Sequence, residues 1–172
     1  NDLRKETQMK KLISLLLLFF ILFTGCAPKG PDGGSPKVTM PEIIDLLCEG
    51  VEVPAYEATP LTDEDFAYFA FIPYAEGLSG YQADALINAI PHSLVLIHSE
   101  NGDTAELARK MLAGADPRKW ICVSAEAARA AYTEHYVLLV MSSSEVVEGI
   151  MANFETAAND GEATALDASA AG

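Results

Sequence analysis

Tyr136-Val137-Leu138-Leu139-Val140-Met141 is an unbroken run of six apolar residues. It is too short for a typical helix and too uniformly apolar to alternate between core and solvent. It therefore reads as a strand buried on both faces. Leu94-Val95-Leu96-Ile97 has the same character. Such strands need cover, and the segments around them carry helix signals. The expectation is an α+β domain, with a mostly antiparallel sheet covered by helices.

The covering helices are marked by their starts. Thr39 and Glu42 form a capping-box pattern with Pro41 in the first turn, and Ile43, Leu47 and Val51 recur four apart beside Ile44 and Cys48. Gly50 and Pro54 end that helix. Thr62 and Asp65 repeat the capping pattern for a short helix to Phe69. Its aromatic residues Phe66, Tyr68 and Phe69, with Phe71 just beyond, read most simply as core. Asn101-Gly102 predicts a turn. Asp103 and Glu106 then cap a helix presenting Leu107, Met111 and Leu112, stopped by Gly114 and Pro117. Ser142 and Glu145 cap a last helix carrying Val147, Ile150, Met151 and Phe154 at helical spacing. Trp120-Ile121-Cys122-Val123 is a short strand candidate. Residues 125–131 suit a helix or a strand, and residues 83–90 a short helix or an extended segment.

The chain divides into four parts. Residues 1–25 hold upstream residues, with Met9 as the expected initiator, and a signal peptide. Residues 26–37 form a flexible linker rich in Gly and Pro. Residues 38–157 form one folded domain, long enough for one modest core. Residues 158–172 are Ala, Asp, Gly and Ser with little to bury, and are expected to be a disordered tail.

The signal segment has a basic start at Lys10-Lys11 and about a dozen largely apolar residues from Leu12 to Phe23, followed by Thr24-Gly25-Cys26. It has the layout of a secretory signal and falls short of the roughly 20 apolar residues of a membrane span. Leu22-Phe23-Thr24-Gly25-Cys26 resembles the lipobox of bacterial lipoproteins, although Phe23 stands where leucine is usual. The resemblance implies a diacylglyceryl group on the Cys26 thiol and cleavage before it. Two or more acyl chains hold a protein stably on a bilayer. The expected location is the outer face of the cytoplasmic membrane.

From Cys26 onward there are about seven basic and about 23 acidic residues, a net charge of roughly −16. That balance favours solubility and disfavours nonspecific nucleic-acid binding and adsorption to anionic lipid, so no nucleic-acid partner is expected. Arg109, Lys110, Arg118, Lys119 and Arg129 lie close in sequence. They form either a positive patch or a set of separate partners for nearby acids.

No catalytic constellation stands out, so no enzyme, catalytic residue, cofactor or metal is expected. His92, His98 and His135 lack a compact set of further ligands, and His92 and His98 fall roughly 20 Å apart along a strand. No Gly-x-Ser-x-Gly elbow, phosphate loop or calcium loop occurs. Cys48 and Cys122 sit in apolar stretches and read as buried thiols, with a disulfide between them as the lesser alternative.

Asp116-Pro117-Arg118-Lys119-Trp120 is the one segment of unusual local character. Either Arg118, Lys119 and Trp120 form an interaction surface, since Arg and Trp often anchor interfaces, or Trp120 packs in the core while the two cations cap the turn. We take the second as the default.

From Thr39 to Phe154 the chain resembles a family of small lipoproteins of Gram-positive bacteria that carry a domain of unknown function. Phe69-Ala70-Phe71-Ile72, Pro91-His92-Ser93-Leu94-Val95-Leu96, residues 116–123 and 136–141 carry the likeness. It implies location and architecture and no activity. The expected function is a non-enzymatic, lipid-anchored binding or envelope-interaction domain with a protein or envelope partner. The alternatives are a small-ligand-capturing lipoprotein associated with a transporter and, third, an extracytoplasmic enzyme.

Overall fold

The computed structural model describes residues 38–167. The signal segment, Cys26, the linker and residues 168–172 lie outside the described residues. Helix α1 (Met40–Cys48) starts where the capping pattern predicts. The Glu42 carboxylate accepts from both the Thr39 N–H and its hydroxyl at 2.7 Å, which holds Glu42 below the usual carboxylate range. A two-residue strand β1 (Thr59–Pro60) follows. The Thr62–Asp65 pattern forms too, with the Asp65 carboxylate accepting from the Thr62 N–H at 2.9 Å and its hydroxyl at 2.7 Å. It leads into a single π-helical turn, Phe66–Ala70.

The remaining elements are β2 (Leu78–Asp84), β3 (Ser93–Ser99), α2 (Thr104–Gly114), β4 (Ala127–Tyr132), β5 (Tyr136–Ser142), α3 (Ser144–Ala158) and β6 (Thr164–Asp167). The six strands form one antiparallel sheet in the order β1-β2-β3-β5-β4-β6. The two runs singled out by their apolarity are its central pair, with Val95 opposite Leu139 and Leu96 opposite Leu138. Leu94, Leu96, Leu138 and Val140 face Ile43, Ile44 and Leu47 of α1 and Val147, Ile150 and Phe154 of α3. Val95, Ile97, Val137 and Leu139 face Leu107 and Met111 of α2 and Phe66 of the π turn. The sheet is thus covered on both faces, and the predicted α+β domain is the observed architecture.

Two readings that were left open, those of residues 83–90 and 125–131, are decided, and several other local expectations are corrected. Residues 83–90 are not a helix: β2 runs to Asp84, Ala85 bridges Tyr56, and the chain then turns. The strand was hard to read because Ser79, Gly80 and Gln82 interrupt its apolar pattern. Space around Gly80 is tight. An added Cβ would lie 2.5 Å from the Ile97 Cδ1 and 3.0 Å from the Leu61 Cδ1. The alanine-rich segment is β4. Its small residues let α2 and α3 approach opposite faces of the same strand. Residues 120–123 form bends rather than a strand, and Cys122 takes a left-handed backbone with φ 68°. Ser143, not Ser142, caps α3, accepting from the Val146 N–H at 3.5 Å. Asp103 starts α2 through its backbone carbonyl, while its carboxylate accepts from the Ser99 hydroxyl at 2.6 Å.

The largest correction concerns the tail. The expected disordered segment from residue 158 is ordered through Asp167. Asn159 ends α3 in a left-handed conformation, with φ 46°. The Asp160 carboxylate then accepts from the Thr133 hydroxyl at 2.8 Å and the His135 N–H at 2.6 Å, and lies 3.0 Å from the His135 Nδ1. Beyond it, β6 pairs with β4, and the Arg129 guanidinium meets the Asp167 carboxylate at 2.6 Å. Low apolar content hid this segment, which is held by ladder pairing and charge-assisted hydrogen bonds together with the packing of Leu166 against the core.

Burial pushes the Asp160 carboxyl up, but the hydrogen bonds from His135 and Thr133 outweigh it and hold Asp160 below its ordinary value of 3.8. Its contribution is therefore present above that ordinary value and is lost as pH falls through the lower folded value. A chain ending after Ala158 is expected to lose more than about 2 kcal/mol of stability, the scale of one or two charged hydrogen bonds. Urea unfolding measures it. An unchanged midpoint would show that the segment contributes nothing.

Candidate functional site

The segment Arg118-Lys119-Trp120 lies in the loop between α2 and β4, closed at its base by the Ala125 N–H donating to the Pro117 carbonyl at 2.8 Å. Arg118 behaves as a turn residue. Its N–H donates to the Asp116 carboxylate at 2.9 Å, and its guanidinium stays 82% exposed, 3.5 Å from the same oxygen. Lys119 turns the other way. Its side chain is only 10% exposed, and its ammonium donates to the Asp84 Oδ2 at 3.1 Å and the Ser93 hydroxyl at 3.0 Å. Asp84 and Ser93 are register partners at one end of the β2–β3 ladder. The rings of Trp120, Phe69 and Tyr68 surround the ammonium at 5.1, 5.4 and 5.8 Å, within cation–π range.

Trp120 is half-buried and is neither a core residue nor fully exposed. The aromatic cluster also divides, contrary to its reading as core: Phe66 is buried, while Tyr68 is 63% exposed. Tyr68, Asp84, Asn88, Ala89, Lys119 and Trp120 line a pocket of about 380 Å³, with Ile121 also on its wall and 88% exposed. Leu86 and Ile87, in the same loop as Asn88, are exposed as well. Asp84 Oδ1 is buried and has no hydrogen-bond partner among the described residues. The sequence pointed to Lys119 and Trp120 but not to Asp84, Asn88 or Tyr68. Their only signals were an acid closing a weak strand and a tyrosine in a cluster that looked internal.

Four of the five basic residues are each paired with an acid. Lys110 pairs with Glu106 at 2.6 Å along α2, Arg118 with Asp116, Lys119 with Asp84 and Arg129 with Asp167. Both described cysteines are free. Cys48 is buried as expected, and burial raises its thiol pKa. Cys122 is exposed, contrary to expectation, because its segment is a surface bend and not a strand.

The histidines separate by environment. His98 stacks on His135 with ring centroids 6.0 Å apart, brought there by the antiparallel pairing of His98 with Tyr136. His92 is fully buried, its Nδ1 3.1 Å from the buried Ser142 hydroxyl. A serine beside a histidine invites comparison with a nucleophile and its base. His92 is fully buried, Ser142 is nearly so at the edge of a pocket it lines with Pro91, Glu126 and Ser143, and His92 Nε2 has no partner among the described residues. No group of three His, Cys, Asp or Glu residues able to hold a metal occurs among the described residues. No helix among them is long and apolar enough to cross a membrane. Comparison with family models, curated proteins and solved structures finds no match for the chain.

Burial pushes the His92 pKa down to about 4. The nearby Asp84 charge opposes that shift and the Lys119 charge adds to it. The unfolded chain, with an ordinary value near 6.5, therefore binds a proton that the folded chain refuses. Stability from this group is whole above the unfolded value and falls as pH drops from about 6.5 to about 4, by on the order of 3 kcal/mol. Urea midpoints across that window should decline in the parent and decline much less in His92→Leu. Equal slopes would show that His92 does not govern the acid response.

Proposed function

We propose that the protein is a lipid-anchored, extracytoplasmic, non-enzymatic binding domain. Cys26 carries the anchor at the outer face of the cytoplasmic membrane, and the pocket beside Lys119 and Trp120 meets the partner. The observation that carries the binding reading is the inward turn of Lys119. It ties the loop after α2 to the ends of β2 and β3 and leaves an aromatic-walled pocket open to solvent. Pockets of a few hundred Å³ with apolar walls and a few placed polar groups suit specific recognition. Exposed Tyr68, Leu86, Ile87 and Ile121 extend the contact area around it.

The location rests on the sequence from Lys10 to Cys26. A domain with this excess of acid would be repelled by anionic lipid, so acylation at Cys26 supplies the membrane attachment. The same pocket supports a second reading, capture of a small ligand for an associated transporter, because its polar groups converge instead of lying on a flat face. An enzymatic role is the weakest of the three, since the His92 beside Ser142 is fully buried.

Cys26→Ala is expected to leave an unprocessed precursor or release the domain from the membrane fraction. Intact-mass measurement of the mature parent should show an acylated Cys26 as its first residue. A parent with an unmodified N-terminus elsewhere, or a processed mutant that stays membrane-bound, would contradict the anchor.

A further inference from the structure

Every lysine and arginine from Val38 onward lies between Arg109 and Arg129. Helices α1 and α3 therefore cover their face of the sheet without a basic residue. Glu42 and Asp45 of α1, Glu49 at its end, and Glu145, Glu148 and Glu155 of α3 are all exposed. No ion pair among the described residues involves any of them. Between the two helices lies a groove of about 390 Å³, lined by Leu46, Glu49, Asn153, Thr156 and Ala157. Leu46 is 41% exposed there. Asn153 joins the two walls, its Nδ2 donating to the Leu47 and Glu49 carbonyls at 3.0 Å each. A helix C-terminus carries partial negative charge and favours a cation beside it. Here acids stand at both ends. Glu49 caps α1 and Glu155 lies in the last turn of α3, with no base in the last turn of either helix. Glu155 accepts from the Ala163 N–H at 3.1 Å. Glu49 is the carboxylate that the groove presents.

We infer that this groove docks a short segment of a partner protein that carries an apolar side chain beside lysine or arginine. The apolar side chain lies against Leu46 and Ala157, and the cation meets Glu49 and the end of α1. Charge selects this occupant. A second copy of the domain brings the same acidic surface and is repelled, as are nucleic acid and an anionic bilayer, because the chain has a net charge of −14. A metal ion or polyamine would use the carboxylates and leave Leu46 in water. An uncharged apolar segment would leave Glu49 at a helix end with nothing to offset either. The inference goes beyond the binding reading above. It depends neither on the pocket at Lys119 nor on the anchor, so either can fail without it.

Amide NMR of the full chain in a zwitterionic detergent follows titration with a capped peptide of alternating lysine and leucine. Peptides of alternating lysine and glycine and of alternating glutamate and leucine are the comparisons, and the detergent alone is the blank. The expected result is a saturable set of shifts gathered at residues 45–49 and 153–157, weakening as salt is raised. Neither comparison peptide saturates. Leu46→Ala and Glu49→Gln each weaken binding about tenfold, the equivalent of about 1.4 kcal/mol. Glu100→Gln removes the same charge from an exposed position before α2 and leaves the affinity unchanged. All three positions are exposed, so the unfolding midpoints hold. The inference is overturned by the absence of saturable shifts, or by shifts centred elsewhere or spread over the whole acidic surface. It is equally overturned by saturation with either comparison peptide, by parent-like affinity in Leu46→Ala or Glu49→Gln, or by a loss in Glu100→Gln that matches the loss in Glu49→Gln.

Discussion

The structure depends on burying β3 and β5 on both faces at once. These two strands pair through the centre of the sheet, and every residue from Leu94 to Ile97 and from Val137 to Met141 is withdrawn from solvent. A sheet with such a centre is stable only if both faces are roofed. That requirement explains why α1 and α3 cross one face while α2 and the π turn cross the other. It also explains the alanines of β4, which lies beside β5 under helices on both sides and has little room for larger side chains. Burial on the order of 25 cal/mol for each Å² of apolar surface makes this centre the dominant stabilising term.

Elements whose formation is local were legible. The Thr39–Glu42 and Thr62–Asp65 pairs are three residues apart, so their hydrogen bonds appear in the sequence as a spacing. The central strands were legible because no other element of that length is apolar throughout. Elements whose formation depends on distant partners were not. The glycine of strand β2 sits where Ile97 and Leu61 crowd it, a fact written in other segments. Strand β6 has little to bury and is held by β4, Arg129 and the Asp160 hydrogen bonds. The segment from Trp120 to Val123 has strand-like composition but pairs with no strand among the described residues, and it bends at the surface instead.

The candidate site divides in the same way. Lys119 and Trp120 were visible because they are adjacent and chemically unusual. Their partners Asp84, Ser93, Phe69 and Tyr68 come from β2, β3 and the π turn, between 26 and 51 positions away. The default reading, in which both cations cap the turn and Trp120 packs in the core, holds for Arg118 alone. The cation at Arg118 does serve the turn, while the next residue is drawn inward to form the floor of the pocket. A helical residue and its neighbour diverge by about 100°. In this loop the divergence comes from the Asp116 turn, which fixes the Arg118 N–H and leaves Lys119 to point toward the sheet.

Neutrality at the pocket has a structural origin. An isolated carboxylate at the end of β2, with one oxygen buried, would be costly without an opposite charge. Lys119 supplies that charge and in doing so anchors a loop that has no secondary structure of its own. The same pair bears on His92, where the Asp84 and Lys119 charges act in opposite senses and burial decides the outcome. Forming the floor of the pocket and holding the loop are therefore consequences of one ion pair at the edge of the sheet, while His92 is kept neutral by burial. A domain with a large negative charge thus carries a locally neutral, aromatic pocket, because the carboxylate there is paired with the domain's own lysine.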